Sequence, residues 1–347
     1  MDEKPQRFEK LDREGIGTSS MSRQPMYKHL DTETGKRTAI RRLLLKPELQ
    51  DSFSQSSGLP SLNAAQEEEE EEDYYGVPCM TIREVSLLKI MNHKNVARLV
   101  HVEPDNEERF LRLYLEYAGV DLTTFLKENP IWASDPKVTK DLVKQLLHGV
   151  AYYHSVDAAH GNLRPHNVLI DIDSSKENVQ YNLLITNLQL LPDTLQSNYK
   201  APELLLGSKE LSPAADMFSV GCIFFEMLKK KPLFETRHDQ IDKLFRLMGT
   251  PNEDDWPGVT QLYGKKLSEY RQLKPKNLSK SLFLSDVEPA GVHLLSKMLC
   301  LNPNKRITAA DALKHRYFAD IDPEQQFKTT ITATASSSAS TSASVIP

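Results

Sequence analysis

The stretch AADMFSVGCIFFEML, residues 214–228, sets the fold class of the larger part of this chain. Its apolar residues recur at the spacing of an α-helix. Three further stretches show the same helical spacing: VTKDLVKQLLHGVAYYH (138–154), PAGVHLLSKML (289–299) and TAADALKHRYF (308–318). From residue 135 onward the sequence therefore predicts a predominantly helical body.

The N-terminal part of the chain has a different pattern. The runs RTAIRRLLL (37–45) and RFLRLYLEY (109–117) alternate in part, which favours β-strands. Between them, PCMTIREVSLLKIM (78–91) predicts one amphipathic helix, because Pro78 stands near its start and four apolar residues follow at helical spacing: Ile82, Val85, Leu88 and Met91.

These patterns together predict an α+β protein with two lobes. A small β-rich lobe with one main helix, residues 7–118, precedes a larger helical lobe, residues 119–321. A ligand cleft would lie between the lobes, near LEYAGVDL (115–122). Three polar segments are expected to be disordered: the N-terminus 1–6, an acidic insert at about 46–73 and the Ser/Thr/Ala-rich tail 322–347.

The charge of the chain is concentrated in one run. Residues 67–73, EEEEEED, carry seven negative charges, and removing these from the formal net charge of −5 leaves about +2. The rest of the chain thus offers no case for a nucleic-acid partner. We interpret the run as a solvated insert, with electrostatic docking of a basic partner as the alternative.

The cysteines and the apolar runs indicate in which cellular compartment the protein is expected. The three cysteines, Cys79, Cys222 and Cys300, lie far apart and show no metal-ligand spacing, which fits reduced thiols inside a cell. No apolar run approaches the length of a membrane span. We therefore expect a protein of the cytoplasm, the nucleus or both, without a membrane partner.

A collinear series of motifs then points to a family. The series comprises GVPCMTIREVSLLK (76–89), YKAPELLLGS (199–208), GTPNEDDWPGV (249–259) and LLSKMLCLNPNKRITAADALKHRYF (294–318). It resembles the eukaryotic serine/threonine protein kinases of the cyclin-dependent group, over roughly residues 7–321. The resemblance implies a bilobal kinase fold, ATP as the nucleotide and a role in the cell cycle, whereas activity has to be argued at the site itself.

The phosphate-binding positions depart from the family pattern. In GIGTSSMS (15–22), Gly15 and Gly17 match the glycine-rich loop but Ser20 replaces the third glycine, so a simple turn explains this segment nearly as well. The position of the phosphate-pairing lysine is held by Arg41. We favour a structural ion pair between Arg41 and Glu84 over a contact of Arg41 with the nucleotide.

The catalytic positions also differ from the family pattern. In AHGNLRPHNVLI (159–170), the resemblance aligns the catalytic base with Asn162 and the assisting lysine with Arg164. An amide does not accept a proton at neutral pH, so the base is missing. One metal ligand, Asn167, is kept, but the other falls on Asn187 in place of an aspartate. Two amides predict weak magnesium binding or none.

The resemblance also implies a set of nucleotide contacts and spine residues. Apart from the phosphate-binding positions, the nucleotide contacts fall on Ala39, Leu115, Glu116, Ala118, Asp121 and Leu169. The internal spine falls on Leu88, Leu99, His160 and Leu188, with Asp216 as its anchor, and Arg306 is expected to pair with Glu203. The same residues would serve as packing between the lobes if no nucleotide bound.

The partner-binding positions are nearly complete. The cyclin-type helix supplies Pro78, Thr81, Ile82 and Arg83, and GTPNEDDWPGV lies where the family adds an insert that docks a small adaptor on the helical lobe. Three hypotheses follow. The chain is a catalytically impaired pseudokinase that binds a cyclin-like or other regulatory protein, a residual serine/threonine kinase that transfers the γ-phosphate of ATP to proteins, or a decaying copy.

Overall fold

The computed structural model of the protein describes residues 7–11, 27–44, 79–104, 110–117, 119–173, 179–188, 198–235 and 240–321. The predicted disordered segments lie outside these ranges, and so do Gly15, Gly17, Pro78 and Ala118. Within them no helix is long and apolar enough to cross a lipid bilayer.

The N-terminal lobe is a five-stranded antiparallel sheet with one helix, as the sequence predicts. Its strands lie in the order β1-β2-β3-β5-β4. Their bounds are β1 Phe8–Lys10, β2 Tyr27–Asp31, β3 Arg37–Leu44, β4 Leu99–Pro104 and β5 Phe110–Glu116, and the helix α1 spans Cys79–Ile90.

Strand β3 carries two of the predicted site residues into the interior. Successive side chains of a strand point to opposite faces, so Ala39, Arg41 and Leu43 share one face. All three are buried, and Arg41 is only 1% exposed. Ala39 lies opposite Leu115 and Arg41 opposite Leu113 on β5. The central strand pair therefore places Arg41 under the sheet, against α1.

Helix α1 is buried differently from the stripe that its spacing predicts. Leu88 and Met91 are buried and Val85 is half-buried, but Ile82 is 54% exposed. Ile90 is 64% exposed as well. The buried side of α1 instead includes Glu84, which faces Arg41. The buried side of α1 thus contains an ion pair, and Ile82, which belongs to the apolar stripe by spacing and to the partner-binding set by resemblance, lies at the surface.

The C-terminal lobe is mainly helical, with a small sheet in the order β6-β7-β8 next to the cleft. The strands of this sheet are β6 Val120–Asp121, β7 Val168–Asp173 and β8 Gln180–Ile185. Its helices are α2 Leu122–Glu128, α3 Pro130–Ala133, α4 Pro136–Ser155, α5 Pro202–Leu205, α6 Pro213–Lys229, α7 Gln240–Met248, α8 Val259–Leu267, α9 Leu278–Ser281, α10 Pro289–Met298 and α11 Ala309–Leu313. Single 3-10 turns occur at 165–167, 303–305 and 316–318.

Helix α6 is the centre of this lobe. The Ser212 hydroxyl accepts a hydrogen bond from the Ala215 N–H and so caps the first turn of the helix. From Ala215 to Met227 all residues but Ser219 are buried. The helix ends where Lys230 adopts a left-handed conformation, with φ of 58°. The stretch 214–228 therefore forms the buried core helix of this lobe.

The two lobes are joined by backbone hydrogen bonds as well as by packing. The Ala97 N–H donates to the Ile185 carbonyl at 2.8 Å, and the Ile185 N–H donates to the Asn95 carbonyl at 2.9 Å. The Asn95 side chain adds a bond to the Leu183 carbonyl at 2.9 Å. The segment that follows α1 is thus tied to β8, which leads into the predicted metal-binding residue Asn187.

A buried ion pair holds α5 against the end of the lobe. Both carboxylate oxygens of Glu203 accept from Arg306, at 2.8 and 2.9 Å. The remaining donors of Arg306 bond to the carbonyls of Cys300, Leu301 and Ala214. Both partners are 5% exposed. The predicted pair is therefore present, and every donor of the guanidinium is used.

We expect Arg306→Met to lower the free energy of unfolding by about 3–5 kcal/mol, because Glu203 would stay buried without a partner. The change is measured by urea unfolding of the full chain followed by circular dichroism. The matched control is Arg246→Met, which breaks the exposed pair with Asp242 and should change nothing measurable. Equal destabilisation by the two substitutions would contradict the assignment.

Candidate active site

Arg41 is buried between strand β3 and helix α1, with 1% of its surface exposed. Its Nη1 lies 2.5 Å from Oε1 of Glu84 and donates to the Leu188 carbonyl at 2.7 Å. Burial raises the pKa of Glu84, and the nearby charge of Arg41 opposes that rise. The preferred interpretation of Arg41 as a structural partner of Glu84 matches this geometry.

The same contact joins three elements. Arg41 belongs to β3, Glu84 to α1, and Leu188 to the coil that follows β8. The Nε and Nη2 donors of Arg41 are buried and have no hydrogen-bond partner among the described residues. Both protein contacts are made by one nitrogen, Nη1, and the Arg41 side chain is only 1% exposed, so the residue is enclosed by the protein. The substitution therefore supports packing better than phosphate binding.

Asp216 holds the segment 159–170, which corresponds to the catalytic loop of the resembled family. Its carboxylate accepts from the backbone N–H groups of His160 and Gly161, at 2.7 and 2.9 Å. His154 Nε2 lies 3.0 Å from the same carboxylate. The predicted anchor of the spine is thus in place at the first turn of α6. The spine residues Leu88, Leu188 and His160 are all buried, and Leu99 packs against them half-buried.

His160 is a fully buried link between two segments of the site. Its Nε2 lies 2.9 Å from the Thr186 carbonyl, and its Nδ1 accepts from the Asn162 N–H at 3.2 Å. These partners assign the neutral ring with its proton on Nε2. Burial lowers the pKa of His160 to about 4, although the nearby Asp216 carboxylate acts in the opposite direction. The ring is therefore neutral at physiological pH.

Three asparagines form the floor of the site. The Asn187 Nδ2 donates to Asn167 Oδ1 at 2.9 Å, and the Asn167 Nδ2 donates to the Asn162 carbonyl at 2.7 Å. All three side chains are buried, with exposures of 4%, 1% and 6% for Asn187, Asn167 and Asn162. The residue types predicted at the base and metal positions are thus brought together, and they bind one another.

These residues do not fit a magnesium ion. Mg²⁺ requires hard oxygen ligands, mostly carboxylates, in octahedral geometry. Here the Asn167 oxygen already accepts an amide N–H, and the other group is the neutral amide of Asn187. Among the described residues, moreover, no cluster of three or more His, Cys, Asp or Glu side chains could hold a metal ion. The prediction of weak or no metal binding stays a prediction, supported by this donor set.

The adenine-contacting positions are only partly available. Ala39 and Leu169 pack in one small cluster with Tyr117, which the sequence argument did not single out although it stands between two predicted contacts. Leu115 is buried beside them, 1% exposed. The Glu116 N–H already donates to the Arg98 carbonyl at 2.8 Å. The predicted contacts Ala39 and Leu169 are therefore packed in one cluster, while the Glu116 backbone donor is used within the protein.

Two other predicted site residues have structural contacts. The Asp121 carboxylate caps α2 by accepting from the N–H and the hydroxyl of Thr124, at 3.1 and 3.0 Å. Arg164 is half-buried ahead of the 3-10 turn at 165–167. Burial and Glu226 raise the pKa of Tyr199, and the nearby charge of Arg164 opposes that rise. The Tyr199 hydroxyl donates to Glu226 at 2.5 Å, a contact that no spacing in the sequence predicts.

The predicted partner-binding residues separate into buried and exposed ones. Thr81 is 9% exposed, so its side chain lies mostly inside. Ile82 and Arg83 are exposed on the first turn of α1. Helix α1 therefore presents an apolar and a basic side chain next to each other at the surface.

Comparison with known families agrees with this architecture. The family model described as the protein kinase domain matches residues 62–318, about three-quarters of the chain. The chain belongs to the protein kinase domain family. The match begins after β3, but the structure adds β1, β2 and β3 to the sheet of the N-terminal lobe. The α+β bilobal kinase fold expected from the sequence is thereby confirmed.

The buried state of His160 predicts a pH dependence of stability. Its pKa is about 4 in the folded protein and about 6.5 in the unfolded chain, so the unfolded chain binds more protons between these values. Stability should therefore fall as pH drops from about 6.5 to 4, by on the order of 3 kcal/mol from this group. Urea unfolding of the full chain at a series of pH values measures this loss.

Substitution isolates the contribution of this residue. His160→Phe should be less stable at pH 7, because two hydrogen bonds are lost, but its stability should depend less on pH in this window. The control His101→Phe, at a histidine whose side chain is 39% exposed on β4, should keep the slope of the unsubstituted protein. An unchanged slope in His160→Phe would refute the assignment.

Proposed function

We propose that this protein is a catalytically impaired member of the protein kinase family that acts by binding a regulatory protein through helix α1. The observation that carries the proposal is the hydrogen bond between Asn187 and Asn167, which joins the two positions where a kinase would hold its metal ion. Phosphoryl transfer depends on positioning and on neutralising charge with metal ions. A site whose ligands bind each other is poorly suited to it.

The position of the base supports the same conclusion. Asn162 stands where the resemblance places the proton acceptor, and its amide cannot take a proton from a substrate hydroxyl at neutral pH. General-base assistance is typically worth about 10²–10⁴ in rate. Losses at the base and at the metal act on one step, so their effects on the rate are not additive.

The surface of α1 supports a binding role. Ile82 is 54% exposed and Ile90 is 64% exposed. Arg83, which follows Ile82 in the sequence, is exposed as well. Arginine is among the residue types that most often carry binding energy at protein interfaces. By its resemblance to the cyclin-gripping helix, this surface suits a cyclin-like subunit. Its opposite side is fixed by the Glu84–Arg41 pair.

Nucleotide and adaptor binding belong to the proposal as secondary parts. The packing of Ala39 and Leu169 supports a slot for an adenine, whereas the buried Arg41 does not support a magnesium-bound triphosphate. On the C-terminal lobe, Glu253 accepts from the Gly258 and Thr260 N–H groups at the start of α8, and Leu262 of that helix is 67% exposed. That exposed side chain is where a small adaptor would dock.

A direct binding measurement tests the proposed function. Purified full chain is titrated by biolayer interferometry against a panel of purified cyclin-fold proteins, with the charge-reversing variant Ile82→Glu/Arg83→Glu in parallel. We expect one panel member to bind and the variant to bind it at least about 10-fold more weakly.

The matched control is Ile131→Glu, at an isoleucine that is 81% exposed on α3 of the other lobe. It should bind the same panel member with unchanged affinity. Either no binding to any panel member or equal loss in both variants would overturn the proposal.

A further inference from the structure

The floor of the cleft is one continuous hydrogen-bond network. Its upper part runs from Asn187 to Asn167 and on to the Asn162 backbone. Two further bonds return to the segment before Asn187: the Thr186 N–H donates to the Asn167 carbonyl at 3.0 Å, and His160 Nε2 bonds to the Thr186 carbonyl. Segment 186–188 is therefore held against the catalytic loop by side chains and backbone together.

Arg41 extends the network to helix α1. It donates to the carbonyl of Leu188, directly after Asn187, and pairs with Glu84. A shift of segment 186–188 would remove an acceptor from a buried guanidinium, which costs more than losing an exposed hydrogen bond. The position of α1 and the position of Asn187 are therefore coupled through one buried side chain.

An amide at position 187 makes this arrangement possible without a cation. Oxygen ligands of a metal repel each other unless the cation lies between them, because they have no proton to share. An asparagine has both an acceptor and two donors, so Asn187 can donate directly to the Asn167 oxygen. Asn187 also has a φ of 62°, a left-handed conformation that asparagine tolerates better than most residues.

We propose that the hydrogen-bonded amides of Asn187 and Asn167 replace a divalent cation as the tie between segment 186–188 and the catalytic loop. The cleft and helix α1 are then held in one arrangement without metal or nucleotide. Given the proposed function, the exposed surface at Ile82 and Arg83 is ready for its partner at all times. The tie itself does not depend on any partner.

The test restores a carboxylate at this position. Asn187→Asp keeps the shape of the side chain but removes the donor, so an anionic oxygen would face the Asn167 oxygen, now 2.9 Å from the Asn187 nitrogen. Without divalent ions we expect its melting temperature to fall by about 3 °C or more. Added MgCl₂ or CaCl₂ should restore much of this loss, whereas the unsubstituted protein should not respond to either salt.

The matched control is Asn182→Asp, the same substitution at an exposed position of β8. It should neither lower the melting temperature nor create a response to divalent ions. A stabilisation of the unsubstituted protein by Mg²⁺ at millimolar concentration would overturn the proposal. So would an Asn187→Asp protein that melts like the unsubstituted one.

Hydrogen–deuterium exchange of the full chain gives the second readout. In Asn187→Asp without divalent ions, exchange should rise at least about 10-fold in the peptides that cover α1 and residues 183–188, because local opening becomes easier there. Unchanged exchange in α1 would show that Arg41 does not couple the two elements. No partner is present in either experiment, so a failed binding assay leaves these results unaffected.

If Asn187→Asp does not fold, Asn187→Gly decides the question, because glycine adopts the left-handed conformation of this position without strain. This variant removes the donor without adding a charge, so it should melt at a lower temperature than the unsubstituted protein and show no response to Mg²⁺. A melting temperature equal to that of the unsubstituted protein would show that the amide bond holds nothing.

Discussion

The contact of Arg41 with Glu84 and with the Leu188 carbonyl is the constraint on which the rest of the site depends. It joins the central strand of the sheet, the main helix of the N-terminal lobe and the coil after β8. A buried ion pair adds little net stability, because both charges are removed from water, but breaking it is costly. Such a pair therefore selects one arrangement of its elements over others.

The choice of arginine at this position agrees with the other substitutions. A lysine would present a compact charge to a ligand, whereas Arg41 is buried and contacts two protein acceptors through Nη1. Asn187 and Asn167 likewise use their amides to bind each other rather than an ion. The hydrogen bonds that hold the fold together, such as those of Asp216 with the backbone of residues 160 and 161 and of Arg306 with Glu203, are complete. This protein thus retains the structural contacts of the fold, while the residues at the predicted base and metal positions are replaced.

Sequence reasoning found the contacts that depend on residue type and order along the chain. The apolar spacing of residues 214–228 predicts helix α6, and the resemblance to the kinase family supplies the Glu84–Arg41 and Glu203–Arg306 pairs. Helical spacing placed Ile82 in the apolar stripe of α1, whereas the resemblance placed it among the partner-binding residues. Ile82 is 54% exposed, because the buried side of α1 carries Glu84, the partner of Arg41 on β3. Helical spacing alone cannot contain that information.

Other features needed the backbone. The bond between Asn187 and Asn167 is made by a residue in the left-handed conformation, which nothing in the local sequence specifies. The capping of α2 by Asp121 competes with its predicted nucleotide role, and only the position of Thr124 decides between them. Tyr199 meets Glu226 from 27 residues away in sequence, and the packing of two separate elements brings them together.

The most direct test of the account is transfer of the γ-phosphate. Purified full chain is incubated with radiolabelled ATP, a basic protein substrate and Mg²⁺ or Mn²⁺, and Asn167→Ala is purified and assayed in parallel as the control for contaminating enzymes. The account predicts that incorporation by the two proteins is equal and stays at background. Incorporation by the unsubstituted chain that Asn167→Ala abolishes would contradict it.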